Sequence, residues 1–150
     1  MALELENLTG PIIGAAVDVL RELGPGFVEK IYEEAMAAAL QDRGLRFERQ
    51  LTVPVHFRGR RLGAHRLDLL IEGLVVVELK AVVRLEDVHR AVVLSYLRAT
   101  SRRVGLLINF KSALLQRERI LNPLAPPAPS VWESTPPLLR ASASPREEQR

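Results

Sequence analysis

The fold is decided by residues 62–80, which read LGAHRLDLLIEGLVVVELK. Two apolar runs flank Glu72-Gly73, a typical turn signal, so this stretch predicts two antiparallel strands joined by a tight turn. One acid interrupts each run, Asp68 in the first and Glu78 in the second. A buried carboxylate without a partner costs on the order of several kcal/mol, so each acid needs a metal ion, a cation or a raised pKa.

The length of the turn decides whether the two acids meet. A two-residue loop would set Asp68 opposite Val77 and point it away from Glu78, whereas a three-residue loop over residues 72–74 sets Asp68 opposite Glu78. We predict the three-residue loop, with Gly73 in the left-handed conformation. Strand alternation places Lys80 on the same face as Glu78.

Two carboxylates and a lysine on one sheet face suit the hydrolysis of phosphodiester bonds. Asp68 and Glu78 can hold Mg²⁺ or Mn²⁺, which polarises the phosphate and acidifies a bound water. Lys80 can orient that water and offset charge in the transition state. An ordinary ion pair at a strand end, Glu78–Lys80 or Asp68–Arg66, explains these residues equally well, and the residues alone leave both interpretations open.

Two helices are predicted before the strands. The first begins at Thr9, with Pro11 in its first turn, and ends at the Gly-Pro-Gly sequence of residues 24–26. The second spans about residues 27–43. It has four apolar residues on one face: Phe27, Ile31, Ala35 and Ala38. Glu29 and Glu33 lie one turn apart on another face.

The remaining elements complete an α/β domain. Residues 47–57 predict a first strand by their alternation, and an apolar strand over residues 104–110 follows a helix that begins at Glu86 or Asp87 and ends near Ala99. A strand, a helix and a strand in succession usually form a parallel crossover. The order ααβββαβ therefore predicts a mixed four-stranded sheet flanked by helices.

The proline content separates a domain from a tail. Seven of the ten prolines lie between Pro123 and Pro145, so we predict one domain over residues 1–121 and a flexible Pro/Ala/Ser-rich tail over residues 122–150. No stretch approaches the ~20 apolar residues of a membrane span, and the acidic N-terminus lacks a secretory signal. We therefore expect a cytoplasmic protein with no membrane partner. The absence of cysteine excludes disulfides and thiolate zinc sites.

The charge is unevenly distributed along the chain. Residues 1–45 carry three basic and eight acidic side chains, whereas residues 46–120 carry fifteen basic and seven acidic ones. A basic segment suits a polyanionic partner such as nucleic acid, although a solvated basic surface explains the charge equally well. Seven arginines are candidates for contacts to a phosphate backbone: Arg58, Arg60, Arg61, Arg66, Arg98, Arg102 and Arg103.

Several segments together resemble a known group of proteins. Asp68 followed by Glu78-Leu-Lys80 resembles the PD-(D/E)XK nuclease superfamily, and Gly26-Phe-Val-Glu-Lys-Ile-Tyr32 is similar to the signature of its GxxExxY protein family. The resemblance runs from about residue 8 to residue 122. It includes Leu23-Gly-Pro-Gly26, Arg66-Leu-Asp-Leu-Leu70, Val77-Glu-Leu-Lys-Ala81, Tyr96-Leu97 and Leu107-Ile-Asn-Phe110. It implies a restriction-endonuclease-like fold and metal-dependent nuclease chemistry, with DNA as the favoured substrate and RNA as the alternative.

The resemblance also implies roles for single residues. It makes Glu29 the helix acid that faces the metal site, in a catalytic set with Asp68, Glu78 and Lys80, and Glu33 is a substitute for Glu29. The same segments supply four candidates for substrate contacts: Tyr32, Arg66, His89 and Tyr96.

One position departs from the pattern of the family. Related sequences often carry a glutamine one turn before the tyrosine of the third helix, where this chain has Val92 before Tyr96. Valine donates no hydrogen bond, although His89 in the preceding turn could compensate. The alternative function is therefore a catalytically weak or inactive nuclease-fold protein that acts as a nucleic-acid-binding or assembly scaffold. The sequence leaves the oligomeric state open, and a homodimer is one of the options.

Overall fold

The computed structural model describes residues 3–129 and 131–133. The elements in these residues are α1 (Glu6–Leu23), α2 (Glu29–Asp42), β1 (Phe47–Phe57), β2 (Arg60–Ile71), β3 (Val75–Lys80), α3 (Asp87–Thr100), β4 (Val104–Asn109) and β5 (Gln116–Leu121). The strands form one sheet in the order β1-β2-β3-β4-β5. Strands β3 and β4 are parallel and the other neighbours are antiparallel. The predicted α/β class, with a mixed sheet and flanking helices, is confirmed.

Helices cover both faces of the sheet because the side chains of its central strands alternate. In β3, Val76 packs with Val93 and Leu97 of α3. Three other residues of β3 pack in the cluster that contains α1 and α2: Val75, Val77 and Leu79. Gly105 of β4 permits the close approach of α3, since a Cβ atom there would lie 2.9 Å from Val93 Cγ1. Glu78 and Lys80 share the alternation of Val76, so β3 presents both toward the α3 side.

The sheet has one strand more than the sequence predicted. Strand β5 pairs with β4 from Asn109↔Gln116 to Val104↔Leu121. Its sequence, QRERIL, is polar over its first four residues, and none of its side chains is fully buried. The prediction of four strands was wrong because an edge strand held by backbone pairing needs no strong apolar alternation.

The first helix begins earlier than predicted. It starts at Glu6, so that Thr9 lies inside the helix and is buried, and Pro11 lies beyond the first turn. The Thr9 hydroxyl accepts a hydrogen bond from Arg119 Nη1 at 3.2 Å. Thr9 therefore helps to connect α1 with β5, and the predicted cap at Thr9 was wrong. No helix among the described residues is long and apolar enough to cross a membrane.

The second helix buries a different face from the one predicted. Phe27 and Ile31 are 46% and 42% exposed. The fully buried residues of α2 are Tyr32, Met36 and Leu40. The apolar pattern misled because α2 is rich in alanine, so that two of its helical faces are nearly equal in hydropathy.

The start of the predicted tail packs against α1. The N–H of Leu5 donates to the Pro129 carbonyl at 3.1 Å, and the N–H of Trp132 donates to Asn7 Oδ1 at 2.7 Å. Trp132 also packs on the main core. These contacts differ from the flexible tail predicted from residue 122. The part of that prediction that concerns residues 134–150 falls outside the described residues.

Candidate active site

A three-residue turn brings Asp68 opposite Glu78. Strands β2 and β3 pair in one register: Leu69 with Val77, Leu70 with Val76 and Ile71 with Val75. The loop between them is residues 72–74, in which Glu72 and Gly73 have φ values of 53° and 66°. Extending the register by one residue sets Asp68 against Glu78. The predicted loop is confirmed, and a second left-handed residue, Glu72, accompanies Gly73.

The side chains of Asp68, Glu78 and Lys80 come together at this point. The charge of the Asp68 carboxyl group acts on the Glu78 carboxyl group and raises its pKa. The N–H of Leu79 donates to Asp68 Oδ2 at 2.9 Å, and Lys80 Nζ lies 3.3 Å from Glu78 Oε2. Glu78 is 5% exposed, while Asp68 and Lys80 are half-buried. The three residues named from the sequence therefore form one cluster, called here the carboxylate cluster.

The carboxylate cluster is short of positive charge. Burial raises the pKa of Glu78 to about 8; the charge and hydrogen bond of Asp68 add to the rise, and Lys80 opposes it. Burial alone would lower the pKa of Lys80, but Glu78, Glu29 and Asp68 outweigh it and raise that pKa above its usual value. One lysine thus only partly compensates two carboxyl groups in a place with little water, and Glu78 keeps its proton near neutral pH.

A divalent ion fits the chemistry of these donors. In the part of the chain that the structure describes, no three or more His, Cys, Asp or Glu side chains are grouped as a metal site. Mg²⁺ is commonly bound through one or two carboxylates and keeps several waters, so Asp68 and Glu78 are a sufficient contribution from the protein. A dication would replace the proton of Glu78 and relieve the repulsion between the two carboxylates.

Glu33 of α2 is connected to the carboxylate cluster through Gln50. The Gln50 amide donates both to Glu33 Oε1 and to Asp68 Oδ1, the second at 3.3 Å. Glu33 is 5% exposed, and its Oε2 accepts a hydrogen bond from Arg49 Nη2 at 2.8 Å. Gln50 and Arg49 therefore hold Glu33 beside Asp68, the position expected for Glu29.

Gln50 is the residue of this site that the sequence did not reveal. Its φ is 49°, a left-handed conformation inside β1, and the pairs Arg49↔Leu69 and Leu51↔Leu67 flank it. A polar residue within an alternating strand is ordinary. Only the backbone conformation and the strand register place its amide next to Asp68.

Glu29 lies at the border of the carboxylate cluster. It is the first residue of α2 and is exposed, yet its charge contributes to the raised pKa of Lys80. Its position differs from the expectation that Glu29, rather than Glu33, points at the acids. A role as accessory acid stays a prediction for Glu29.

Tyr32 supports the turn before α2 and has no exposed surface. Its ring stacks on Phe110, with centroids 4.5 Å apart and planes 3° from parallel. Its hydroxyl donates to the Gly24 carbonyl at 2.7 Å and accepts from the N–H of Phe27 at 3.2 Å. This burial contradicts the predicted substrate contact. Tyr32 instead fixes the turn that leads into Glu29.

Tyr96 of α3 lies near the two acids. It is half-buried, and burial raises its pKa to about 12, with the charges of Glu78 and Asp68 adding to the rise. Its ring meets that of His65 edge to face at 4.7 Å. Val92, one turn earlier on α3, is half-buried as well. A contact between Tyr96 and a substrate stays a prediction.

The other two candidates for substrate contacts lie elsewhere. His89 Nδ1 accepts a hydrogen bond from the N–H of Glu86 at 2.9 Å and belongs to a capping box at the start of α3. Arg66 is exposed on β2, two residues before Asp68. The capping role accounts for His89 without a substrate, whereas Arg66 is free to meet one.

The fold and the carboxylate cluster define a restriction-endonuclease-like α/β domain. The profile of the PD-(D/E)XK nuclease superfamily matches residues 6–120, and the chain belongs to that superfamily. The crystal structure of SSO0001 is similar in fold, with a TM-score of 0.53 and 19% identity. That similarity covers 63% of this chain and 50% of the other, so the chain spans about half the length of that protein. No curated protein matches the chain significantly.

Proposed function

We propose that this protein is a metal-dependent nuclease that hydrolyses phosphodiester bonds of DNA, with RNA as the alternative substrate. The observation that carries the proposal is the strand register that sets Asp68 against the buried Glu78, with Lys80 Nζ 3.3 Å from Glu78 Oε2. Membership of a nuclease superfamily supports the reaction class. The choice of DNA and of Mg²⁺ or Mn²⁺ belongs to the proposal.

Each residue of the carboxylate cluster has a role in this reaction. Asp68 and Glu78 would hold the ion, which when bound polarises the phosphate and lowers the pKa of a water. The Lys80 ammonium orients the attacking water and offsets the charge that develops on the phosphate oxygens. Gln50 fixes the orientation of Asp68, since its amide donates to Oδ1. Glu29 is the accessory acid, and its negative charge helps to raise the pKa of Lys80.

We also place the chain in the GxxExxY group of the superfamily. The contacts of Tyr32 supply a physical reason for the spacing of that signature. Tyr32 anchors Gly24 and Phe27 by hydrogen bonds, and this turn sets the position of Glu29 at the start of α2. The cytoplasmic location is part of the same proposal.

A scaffold without catalysis is the second candidate function. It is favoured by Val92, which lies one helix turn before Tyr96 and whose side chain donates no hydrogen bond. A scaffold of this kind would keep the fold and the nucleic-acid surface but would not cleave. The two functions differ in their response to a metal ion.

Cleavage assays on circular and linear DNA, and on RNA, test the proposal. The protein is incubated with Mg²⁺ or Mn²⁺ beside two variants: Glu78→Gln, which removes one carboxylate of the cluster, and Glu22→Gln, which removes an exposed carboxylate of α1. The nuclease proposal requires cleavage by the wild type and by Glu22→Gln but not by Glu78→Gln. Equal activity in all three proteins would show a contaminating nuclease.

Thermal melting separates an inactive site from one that binds metal. The wild type should melt at a higher temperature with Mg²⁺ or Mn²⁺, because an ion that binds only the folded state stabilises it. Glu78→Gln should lose that shift. No cleavage and no shift in the wild type would reject the nuclease in favour of the scaffold.

A further inference from the structure

The β1–β2 hairpin extends beyond the rest of the sheet. Strands β1 and β2 pair from Phe47↔Ile71 to Phe57↔Arg60, but β2 pairs with β3 only over residues 69–71. Residues 51–67 therefore form a two-stranded ribbon, called here the arm. Seven residues of β1 in the arm span roughly 24 Å at ~3.4 Å per residue. The arm joins the sheet next to Asp68.

One face of the arm packs on α3 and the other faces solvent. Leu51 and Val53 pack against the core under α3, and His65 contacts Tyr96. The opposite face consists of three cross-strand pairs, all of whose side chains are exposed: Thr52 with Arg66, Pro54 with Ala64, and His56 with Arg61. A register shift between Val55 and His56 keeps Arg61 on the face of Arg66, although the two residues are an odd number apart.

The arm carries four exposed positive charges. Residues 51–67 contain no Asp or Glu, and their four arginines are all exposed: Arg58, Arg60, Arg61 and Arg66. Within the described ranges none of the four forms an ion pair; Arg58 instead lies 4.8 Å from the centre of the Phe57 ring. Arg49, just below the arm, contrasts with them because it pairs with both Glu33 and Glu34.

An anionic partner explains this arrangement better than a contribution to stability does. Unpaired like charges on one face of a ribbon do not stabilise it, whereas a row of arginines attracts phosphates. Arg61 and Arg66 are separated by roughly 14 Å, about the rise of four base pairs. The arm therefore has both the charge and the spacing to follow a nucleic-acid backbone.

We propose that the arm binds duplex DNA through the face that carries Arg61 and Arg66. A two-stranded ribbon fits the major groove of B-form DNA, which is about 12 Å wide, while the major groove of A-form RNA is too narrow for side chains to read. Binding by the arm requires neither metal nor catalysis. Only the further step, in which the arm directs the duplex toward Asp68, rests on the proposed nuclease function.

Fluorescence anisotropy with a chelator present tests the arm without cleavage. The titration compares the full chain with Arg61→Gln/Arg66→Gln and with a matched control, Arg21→Gln/Arg117→Gln. The control arginines are also exposed and line one groove between α1 and the segment before β5, away from the arm. For a labelled DNA duplex we expect the arm variant to bind about tenfold more weakly or worse, with a log–log salt slope smaller by about 2, and the control to change little.

The outcomes that overturn the proposal are distinct. Equal losses in both double variants would show a general charge effect, and equal affinity for an RNA duplex would contradict the use of the major groove. Unchanged DNA binding with new self-association would mean that the arginines protect a sheet edge. If the arm double variant melts at a lower temperature, the single variants Arg61→Gln and Arg66→Gln repeat the test. Arm-dependent binding by a wild type that never cleaves DNA would reject the nuclease and leave the arm in place.

Discussion

Two clusters in this domain each pair a glutamate with a basic side chain, yet the pKa of the glutamate is shifted in opposite directions. In the carboxylate cluster, Lys80 lies 3.3 Å from Glu78, yet the pKa of Glu78 is raised to about 8. Between α3 and β5, Arg90 Nη2 donates to Glu118 Oε1 at 2.7 Å, and this hydrogen bond lowers the pKa of Glu118 below its usual value. Both clusters pair an acid with a base, but only in the second does the base outweigh the effect of burial and keep the acid ionised.

The difference comes from burial. Glu118 is a third exposed, and its partner Arg90 also pairs with the exposed Asp87, so these ion pairs cost little and join α3 to β5. Glu78 is buried beside Asp68, and a single ammonium cannot offset both carboxyl groups. An ion pair at the surface supports the fold, whereas an undercompensated buried pair is a place where a cation would bind.

Replacing Lys80 and Arg90 in turn by methionine should give the largest difference in cleavage rate between the two clusters. Lys80→Met removes the charge that offsets the transition state, so we expect metal-dependent cleavage to fall about 10²–10³-fold, as for loss of one preorganised donor. Arg90→Met should leave cleavage within about twofold and lower stability only slightly, since the Arg90–Glu118 pair is partly exposed. Rate measurements at saturating metal check both. Similar rate losses in the two variants would place Lys80 outside the chemistry.

The free energy of unfolding should respond to pH in opposite directions at the two acids. The folded pKa of Glu78, about 8, lies above its ordinary value of 4.5, so its ionisation destabilises the metal-free fold as the pH rises through that window. With a chelator present to remove metal ions, Glu78→Gln should then raise the free energy of unfolding by on the order of 2 kcal/mol at about pH 9, and by less at about pH 5.

Glu118→Gln should change the free energy of unfolding in the opposite direction. Its folded pKa is lowered, so its ionised form stabilises the fold above the ordinary value of 4.5, and that stabilisation disappears as the pH falls through the folded pKa. Glu118→Gln should therefore be slightly destabilising at neutral pH and neutral in acid. Denaturant titrations across the pH range measure both variants. A Glu78→Gln protein that is less stable than the wild type at high pH would refute the electrostatic account of the cluster.

Gln50 offers a smaller and more local test of the carboxylate cluster. Gln50→Leu removes the amide between Glu33 and Asp68, so the affinity for Mn²⁺ should fall about tenfold, as when a residue that orients a metal ligand is lost. Calorimetric titration measures the affinity, and Gln41→Leu, at an exposed position on α2, is the control. Unchanged affinity in Gln50→Leu would mean that Leu79 N–H alone orients Asp68.

The smallest expected effect is a gain at Val92. Val92→Gln should raise metal-dependent cleavage a few-fold, because an amide one turn before Tyr96 can hydrogen-bond a phosphate or a metal-bound water. Melting must accompany the rates, since an amide buried without partners would cost ~1–3 kcal/mol. Unchanged stability with no gain in rate would show that position 92 does not reach the reacting groups.

Much of the fold could be predicted from local pattern. The hairpin of β2 and β3 and the crossover to β4 have strong apolar runs, and Gly73 marks a turn whose length sets the register. Strand β5 was missed because it is held by backbone pairing along an edge. The buried face of α2 was missed because its alanines blur the helical period, so only packing chooses Tyr32 over Ile31.

The residues of the site also divide into those that the sequence identifies and those that only the structure reveals. Asp68, Glu78 and Lys80 could be named from the sequence because charges inside apolar strands are conspicuous, and the register follows from the turn. Gln50 could not be named, since its role depends on a left-handed residue inside β1. The positions of Glu29 and Glu33 depend on how α2 rotates against the sheet, which neighbouring residues do not encode.

By itself, the sequence determined the class of the fold, the facing acids and the lysine beside them, because these follow from strand periodicity and turn geometry within a stretch of 19 residues. The tertiary structure decided which groups surround that stretch. Contacts between distant segments bury Tyr32 against Phe110 and connect Glu33 to Asp68 through Gln50. Among the described residues, they leave the arginines of the arm without acidic partners. Such contacts depend on the packing of whole elements, where small differences in buried area outweigh local preference.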